Sequence, residues 1–214
     1  MRNQSVQTNK RLGTLIKISF LSAMAFLLML IELPLPIFPA FLKIDLSDLP
    51  ALVGAFALGP VAGVAIEFLK NILIILIKGS ATAMVGEVAN FFIGSILVFV
   101  SGYIYKKRNT RKNAIIGLIL GTIFMTIAAS IINYLVLIPV YSKAFGMPLD
   151  AIIGMGTAIN SNITDLSTLI VWAIVPFNLI KGFIVSFVTV AIYKKISVVL
   201  KTSINETTKK KVAR

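Results

Sequence analysis

Lys181 stands inside an apolar run that extends from Leu169 to Tyr193, three residues after Asn178 and five after Pro176. Residues three apart share one face of a helix. A cation at the centre of a bilayer costs about 3 kcal/mol or more unless it pairs, reaches the interface or lines a wet cavity. An ammonium beside an amide, just past a proline that kinks the helix, therefore points to binding chemistry. Asn90 and Asn133 place two further amides in other apolar runs, both expected toward the outer halves of their helices. An amide donates and accepts, so three amides and one ammonium suit a neutral ligand with many polar edges, such as a polyol or a heterocycle with imide edges. The other role open to each asparagine is interhelical hydrogen bonding, worth about 0.6 kcal/mol, and the two roles are compatible.

Glu67 and Lys70 are spaced to pair on one helical face, with Asn71 beside them; a packed ion pair and a ligand contact both fit this spacing. The segment from Lys78 through Gly79 and Ser80 to Asn90 is rich in small residues. It permits a flat ligand to approach closely, and equally permits a tight turn.

Several chemistries are excluded. The chain has no cysteine and no histidine, so it lacks thiolate nucleophiles, disulfides and the commonest general base and metal ligand. It has no phosphate-binding Gly-x-x-x-x-Gly-Lys-Ser/Thr sequence and so carries no ATPase engine of that kind. Glu32, Asp45, Asp48, Asp150 and Asp165 are assigned to outside connections, so no Asp-x-x-Asp pair is expected at membrane depth. No catalytic residue, metal site or cofactor is expected.

The elements that must position these residues are membrane helices. The 214-residue chain is 57% hydrophobic and 14% charged. Apolar blocks cover 12–31, 49–77, 84–105, 114–141 and 169–193, each near or beyond the roughly 20 residues that span a bilayer. No alternating period supports a barrel. The net charge is +13, but all the lysines and arginines except Lys43, Lys70, Lys78, Lys143 and Lys181 fall in three clusters that flank apolar blocks. That is the positive-inside pattern, not a nucleic-acid surface.

With the N-terminal and 106–112 clusters both inside, an even number of crossings must separate them. The block 49–77 therefore divides, as two helices of about 49–58 and 61–77 turning at Gly59-Pro60. The first, about 15 Å long, needs irregular backbone buried against protein to complete its crossing. The expected architecture is an all-α integral membrane protein of six transmembrane helices with both termini cytoplasmic. Residues 1–214 form a single membrane domain, with a bundle over about 12–193 and basic cytoplasmic tails at 1–11 and 194–214. The first helix is expected to be an uncleaved span rather than a signal peptide.

Between the first two helices, Pro34, Pro36, Pro39 and Pro50 deny regular helix to a connection that is otherwise mostly apolar. Such a loop can fold back over the bundle as a lid, or rest on lipid headgroups. Ser47 or Asp48 is a candidate N-cap for the second helix. On the first helix, Ser19 and Ala23 form a small-xxx-small pair that admits a close neighbour, within the protein or from a partner.

The chain resembles the riboflavin-specific substrate-binding subunits, or S components, of bacterial energy-coupling factor (ECF) vitamin transporters. The resemblance runs from about Leu15 to Tyr193. It is carried by the Leu-Pro-rich first loop ending in Asp45-Leu-Ser-Asp-Leu-Pro50, by Gly59-Pro60-Val-Ala-Gly63 with Lys70-Asn71, by Ala89-Asn90-Phe91, by Asn133-Tyr134 before Pro139, and by Pro176-Phe-Asn-Leu-Ile-Lys-Gly182. It implies a six-helix S-component fold in the bacterial cell membrane that binds riboflavin near the outer face. The ligand is a transported vitamin rather than a cofactor. Partnership with a transmembrane coupling subunit and two cytoplasmic ATPases is also implied.

By that resemblance Asn133, Asn178 and Lys181 hold the flavin's polar atoms, with Asn90 nearby, and Leu42, Lys43 and Ile44 cover the ring. Gly79 and Ser80 are weaker candidates for contact, and Ser19 and Ala23 face the coupling subunit. Ser19 stands where alanine is usual. The competing readings are an S component for another vitamin such as thiamine, a stand-alone facilitator, and a membrane enzyme acting on lipid.

Overall fold

The structure, a computed structural model, describes residues 2–80 and 82–192; the expected basic tail over 194–214 lies outside them. Helix α1 runs Arg2–Met29. A strap follows, in which two short strands, β1 (Leu33–Pro34) and β2 (Lys43–Ile44), pair antiparallel with Leu33 opposite Ile44 and Pro34 opposite Lys43. Then come α2 (Asp48–Leu58), α3 (Pro60–Ile77), α4 (Val85–Lys107), α5 (Arg111–Ala144), a short α6 (Leu149–Thr157) and α7 (Leu166–Ile192). Residues 2–11, expected as a tail, continue the turns of α1.

Local chemistry explains the boundaries. Gly59 has φ 109° and ψ 162°, a backbone conformation that side chains forbid. Pro60 follows at the first position of α3, where no amide proton is needed. The expected break at Gly59-Pro60 is thus present. Thr110 caps α5 by accepting from the Asn113 amide, and Asp165 and Thr168 form a reciprocal capping box that starts α7. Ser47 sits at the N-cap position of α2 but makes no capping bond; its hydroxyl accepts from Lys70 instead. The small helix α6 had no clear signal in the sequence.

Among the described residues, five helices are long and apolar enough to cross a membrane: the 11–29 part of α1, and α3, α4, α5 and α7. The eleven-residue α2 measures only about 16 Å, so the expected sixth crossing rests on α2 together with the strap that precedes it.

Both long helices of the second half contain a five-residue π-helical stretch, Asn133–Leu137 in α5 and Ile170–Ile174 in α7. In each, the residue after the stretch bonds five residues back, Ile138 to Asn133 and Val175 to Ile170, and a proline comes next, Pro139 or Pro176. A proline cannot donate to the preceding turn, and widening that turn relieves the clash. One extra residue per stretch also re-aims every side chain beyond it.

The core lies where α1, α2, α3, α4, α5 and α7 meet around Leu21, Leu52, Phe56, Ile66, Leu97, Leu118, Met125 and Val185. A second cluster packs α6 against the outer parts of α5 and α7 through Ile138, Ile152, Ile163 and Ile174. A third, Phe38, Ile44 and Phe177, fixes the strap to α7, with the Phe38 and Phe177 rings edge to face at 5.5 Å. Leucines, isoleucines and phenylalanines such as Ile16, Phe20, Leu76, Phe183 and Phe187 point outward, as they do in a bundle whose solvent is lipid.

Candidate functional site

A cavity of about 750 Å³, counted with its open mouth, lies beneath the strap. About 170 Å³ of it is room that a water molecule could occupy, less than the roughly 300–1,000 Å³ of typical small-molecule sites. The strap contributes Phe41, Leu42, Lys43 and Asp45, and α2 contributes Asp48. Helix α4 adds Gly86, Ala89, Asn90, Ile93 and Gly94. The far walls are Met125, Asn133, Leu137 and Tyr141 from α5, and Phe177, Asn178 and Lys181 from α7.

Three amides therefore converge as their spacing suggests. Asn133 Nδ2 donates to Ala129 O and Asn178 Nδ2 to Ile174 O, each at 2.8 Å. Each amide plane is thus tethered to its own helix at the edge of a π-helical stretch. The buried Oδ1 of Asn90 has no hydrogen-bond partner. A buried acceptor without a donor costs about 1–3 kcal/mol, and a ligand donor in the cavity would remove that cost.

Behind the cavity is a buried ion cluster. Lys181 Nζ lies 3.1 Å from Asp45 Oδ2 and 3.4 Å from Asp48 Oδ2. Lys70 Nζ lies 2.5 Å from Asp48 Oδ1 and 2.7 Å from Glu67 Oε2, and donates to Ser47 Oγ at 2.8 Å. The Glu67 contact is an ion pair without hydrogen-bonding geometry. Asp45 Oδ1 accepts from the Ser47 amide at 2.8 Å. The strap, α2, α3 and α7 are thereby joined through two cations and three carboxylates. In a low-dielectric interior each charge depends on its partners, because stranding one costs about 3–5 kcal/mol.

Gly94 makes this arrangement possible. A Cβ there would lie 2.6 Å from Glu67 Oε2 and 3.2 Å from Asp48 Oδ1, so only glycine lets α4 close over the cluster.

The expected pairing of Glu67 with Lys70 is present. Other expectations are corrected. Asp45 and Asp48, expected on the outside connection, are both buried within the protein, where they form an Asp-x-x-Asp pair. Lys181 and Lys70 neutralise that pair, and no cluster of metal-ligating side chains occurs among the described residues. Lys181 braces the two aspartates.

Leu42, Lys43, Asn90, Asn133, Asn178 and Lys181 line the cavity, whereas Ile44, Gly79 and Ser80 do not. Ile44 faces the opposite way from Lys43, as neighbours on a strand must, and packs with Phe38 and Phe177. Gly79 turns the chain at φ 77°. Ser80 donates to Glu87 Oε2 at 2.8 Å and accepts from the Met84 amide at 2.7 Å, which builds the turn before α4. Ser19 and Ala23 are exposed on α1, while Ser22 and Ala25, one face round, are buried in the bundle.

Sequence reasoning missed Asp45, Asp48, Phe41, Phe177, Gly94 and Tyr141. The aspartates read as loop charges because nothing local announces burial. The two cations at depth, Lys70 and Lys181, were the available sign that buried anions must exist.

A membrane bundle with a strapped, amide-lined cavity has the form of a substrate-capturing transport component, and the comparisons agree. Residues 13–193 match the family model for the ECF transporter substrate-specific component, and the chain belongs to that family. It is a multi-pass protein of the bacterial cell membrane and a transport component rather than an enzyme.

Among its relatives, the chain is 40% identical over 200 residues to the riboflavin transporter RibU of Staphylococcus aureus, covering 94% of this chain and 97% of the relative. It is 39% identical over 183 residues to the riboflavin transporter FmnP of Bacillus subtilis, covering 85% and 90% respectively. A solved S component of a bacterial ECF transporter superposes with a TM-score of 0.69 at 38% identity, over 89% of this chain and 99% of that one.

Proposed function

We propose that this chain captures riboflavin at the outer face of the membrane and delivers it inward as the substrate-binding subunit of an ATP-driven ECF importer. The observation that carries the reading is the cavity beneath the strap, where three amides, Lys43, Lys181, Asp45 and Asp48 meet apolar and aromatic walls. Riboflavin offers a flat ring with one imide N–H, several acceptors along one edge and a hydroxylated chain. Asn90 Oδ1, lacking a donor, suits the imide or a hydroxyl. Asn133, Asn178 and Lys181 suit the remaining polar atoms, and Phe41, Leu42 and Phe177 suit the ring faces. The relatives at 39% and 40% identity carry the riboflavin transporter name.

Transport needs an engine that this chain lacks, since it has no phosphate-binding loop. A transmembrane coupling subunit and two cytoplasmic ATPases supply it, and the exposed Ser19 and Ala23 face of α1 is where the coupling subunit docks. Both termini lie in the cytoplasm, by the charge pattern.

Purifying the full chain from cells fed riboflavin and recording its visible spectrum tests the ligand. A bound flavin gives a yellow protein, whereas a colourless protein that also leaves added riboflavin fluorescence unquenched contradicts the reading. A competition series separates the alternative of another vitamin, because thiamine at excess must fail to displace riboflavin.

A further inference from the structure

The strap is held at two ends by unlike means. Its inner end is pinned by buried contacts, Asp45 to Lys181 and the packing of Phe38 and Ile44 on Phe177. Its outer end is held by Glu32, which stands just before β1. Glu32 Oε2 accepts from Lys43 Nζ at 2.9 Å, and Glu32 Oε1 accepts from Lys78 Nζ at 2.5 Å. Lys43 belongs to β2 and lines the cavity, whereas Lys78 caps the outer end of α3 and does not. One carboxylate thus ties the strap's cavity-lining strand to the rim of the bundle.

The two fastenings differ in strength. Lys43 and Lys78 side chains are each 48% exposed and Glu32 28%, and exposed ion pairs, screened by water, hold weakly. Breaking the buried anchor strands charges away from water, which costs far more. The outer fastening is therefore the one that opens first.

We infer that Glu32 is a clasp that sets how fast ligand enters and leaves the cavity, leaving affinity nearly unchanged. The inference rests on the riboflavin reading for its ligand. It assigns Glu32 and Lys78 a positioning role, since neither lines the cavity. If the clasp must open for passage in both directions, its loss lowers one shared barrier and speeds both directions alike.

Stopped-flow riboflavin fluorescence on the purified full-length protein tests this with Glu32→Gln and Lys78→Met. Association and dissociation should both accelerate about two- to fivefold, with their ratio held. Raising salt should accelerate the wild type and leave Glu32→Gln unaffected, because exposed pairs are screened. Unchanged rates in both variants overturn the clasp. So does faster dissociation alone, which marks a ligand contact.

Amide hydrogen exchange in the strap tests it without any ligand. The Phe38 amide bonds Leu35 O at 3.0 Å and the Leu42 amide bonds Pro39 O at 2.8 Å. Both should exchange faster in Lys78→Met than in wild type, and equal exchange overturns the clasp. A wild type that binds no riboflavin but passes the exchange test refutes the ligand and leaves the clasp standing.

Discussion

Lys181 Nζ lies 3.1 Å from Asp45 Oδ2, an ion pair between residues 136 apart in the chain. It fastens the inner end of the strap to α7, and its lysine is also a wall of the cavity. The side chain that fastens the strap is therefore also one that a ligand in the cavity would meet. A ligand that accepted a hydrogen bond from Lys181 would read the same group that holds the lid.

Replacing Lys181 with Met leaves Asp45 without its cation and Asp48 with Lys70 alone. Stability should fall by about 3 kcal/mol, and riboflavin affinity should fall with it. Adding Asp45→Asn to Lys181→Met should recover part of the stability but not the affinity. Thermal unfolding in detergent and fluorescence titration, run as a double-mutant cycle, check both parts.

Gly94→Ala should damage the site from behind. The added methyl meets Glu67 Oε2 and Asp48 Oδ1 in a fully packed interior, with an expected cost of about 1–3 kcal/mol. Gly13→Ala, where a Cβ meets nothing within 4 Å, is the control and should be neutral or slightly stabilising. Comparing the two melting temperatures checks the claim.

Only part of this site is legible in the sequence. Lys181, Asn178, Asn133 and Asn90 are legible because a polar group in an apolar run costs free energy and so needs a reason. The division at Gly59-Pro60 is legible because both residues constrain backbone directly. Asp45 and Asp48 are not, since an aspartate in a loop looks the same whether it meets water or a lysine far along the chain. Ile44 and Lys43 show a finer limit. Their neighbourhood identifies the lid, but only strand pairing decides which one faces the cavity. The inward aim of Asn178 and Lys181 depends on a π-helical stretch that Pro176 hints at and no simple 3.6-residue period conveys.

Glu32 should give ligand exchange an acid limb. Partial burial opposes its ionisation, but the ammonium groups of Lys78 and Lys43 outweigh this and hold its carboxyl below the ordinary glutamate range. A carboxyl depressed in the folded state stabilises it above the unfolded value, about 4.3, and that contribution is lost as pH falls through the folded value. Exchange should therefore hold steady from neutral pH down to the ordinary glutamate range and accelerate below it. In Glu32→Gln the acceleration should be missing. Rates measured across that pH range check the sign.

Ser19→Trp should separate capture from transport. Ser19 lies exposed on α1 and far from any cavity-lining role, so riboflavin affinity of the purified variant should match wild type. Uptake by cells carrying the complete importer should fall at least tenfold, because a bulky ring blocks close helix approach. Lost affinity would place this face inside the bundle.

Riboflavin titration into purified, ligand-stripped protein should give saturable, one-to-one quenching of riboflavin fluorescence that excess thiamine leaves intact and that Asn133→Ala with Asn178→Ala weakens by at least tenfold. Quenching that never saturates, or that persists undiminished in the double variant, would contradict riboflavin capture in this cavity.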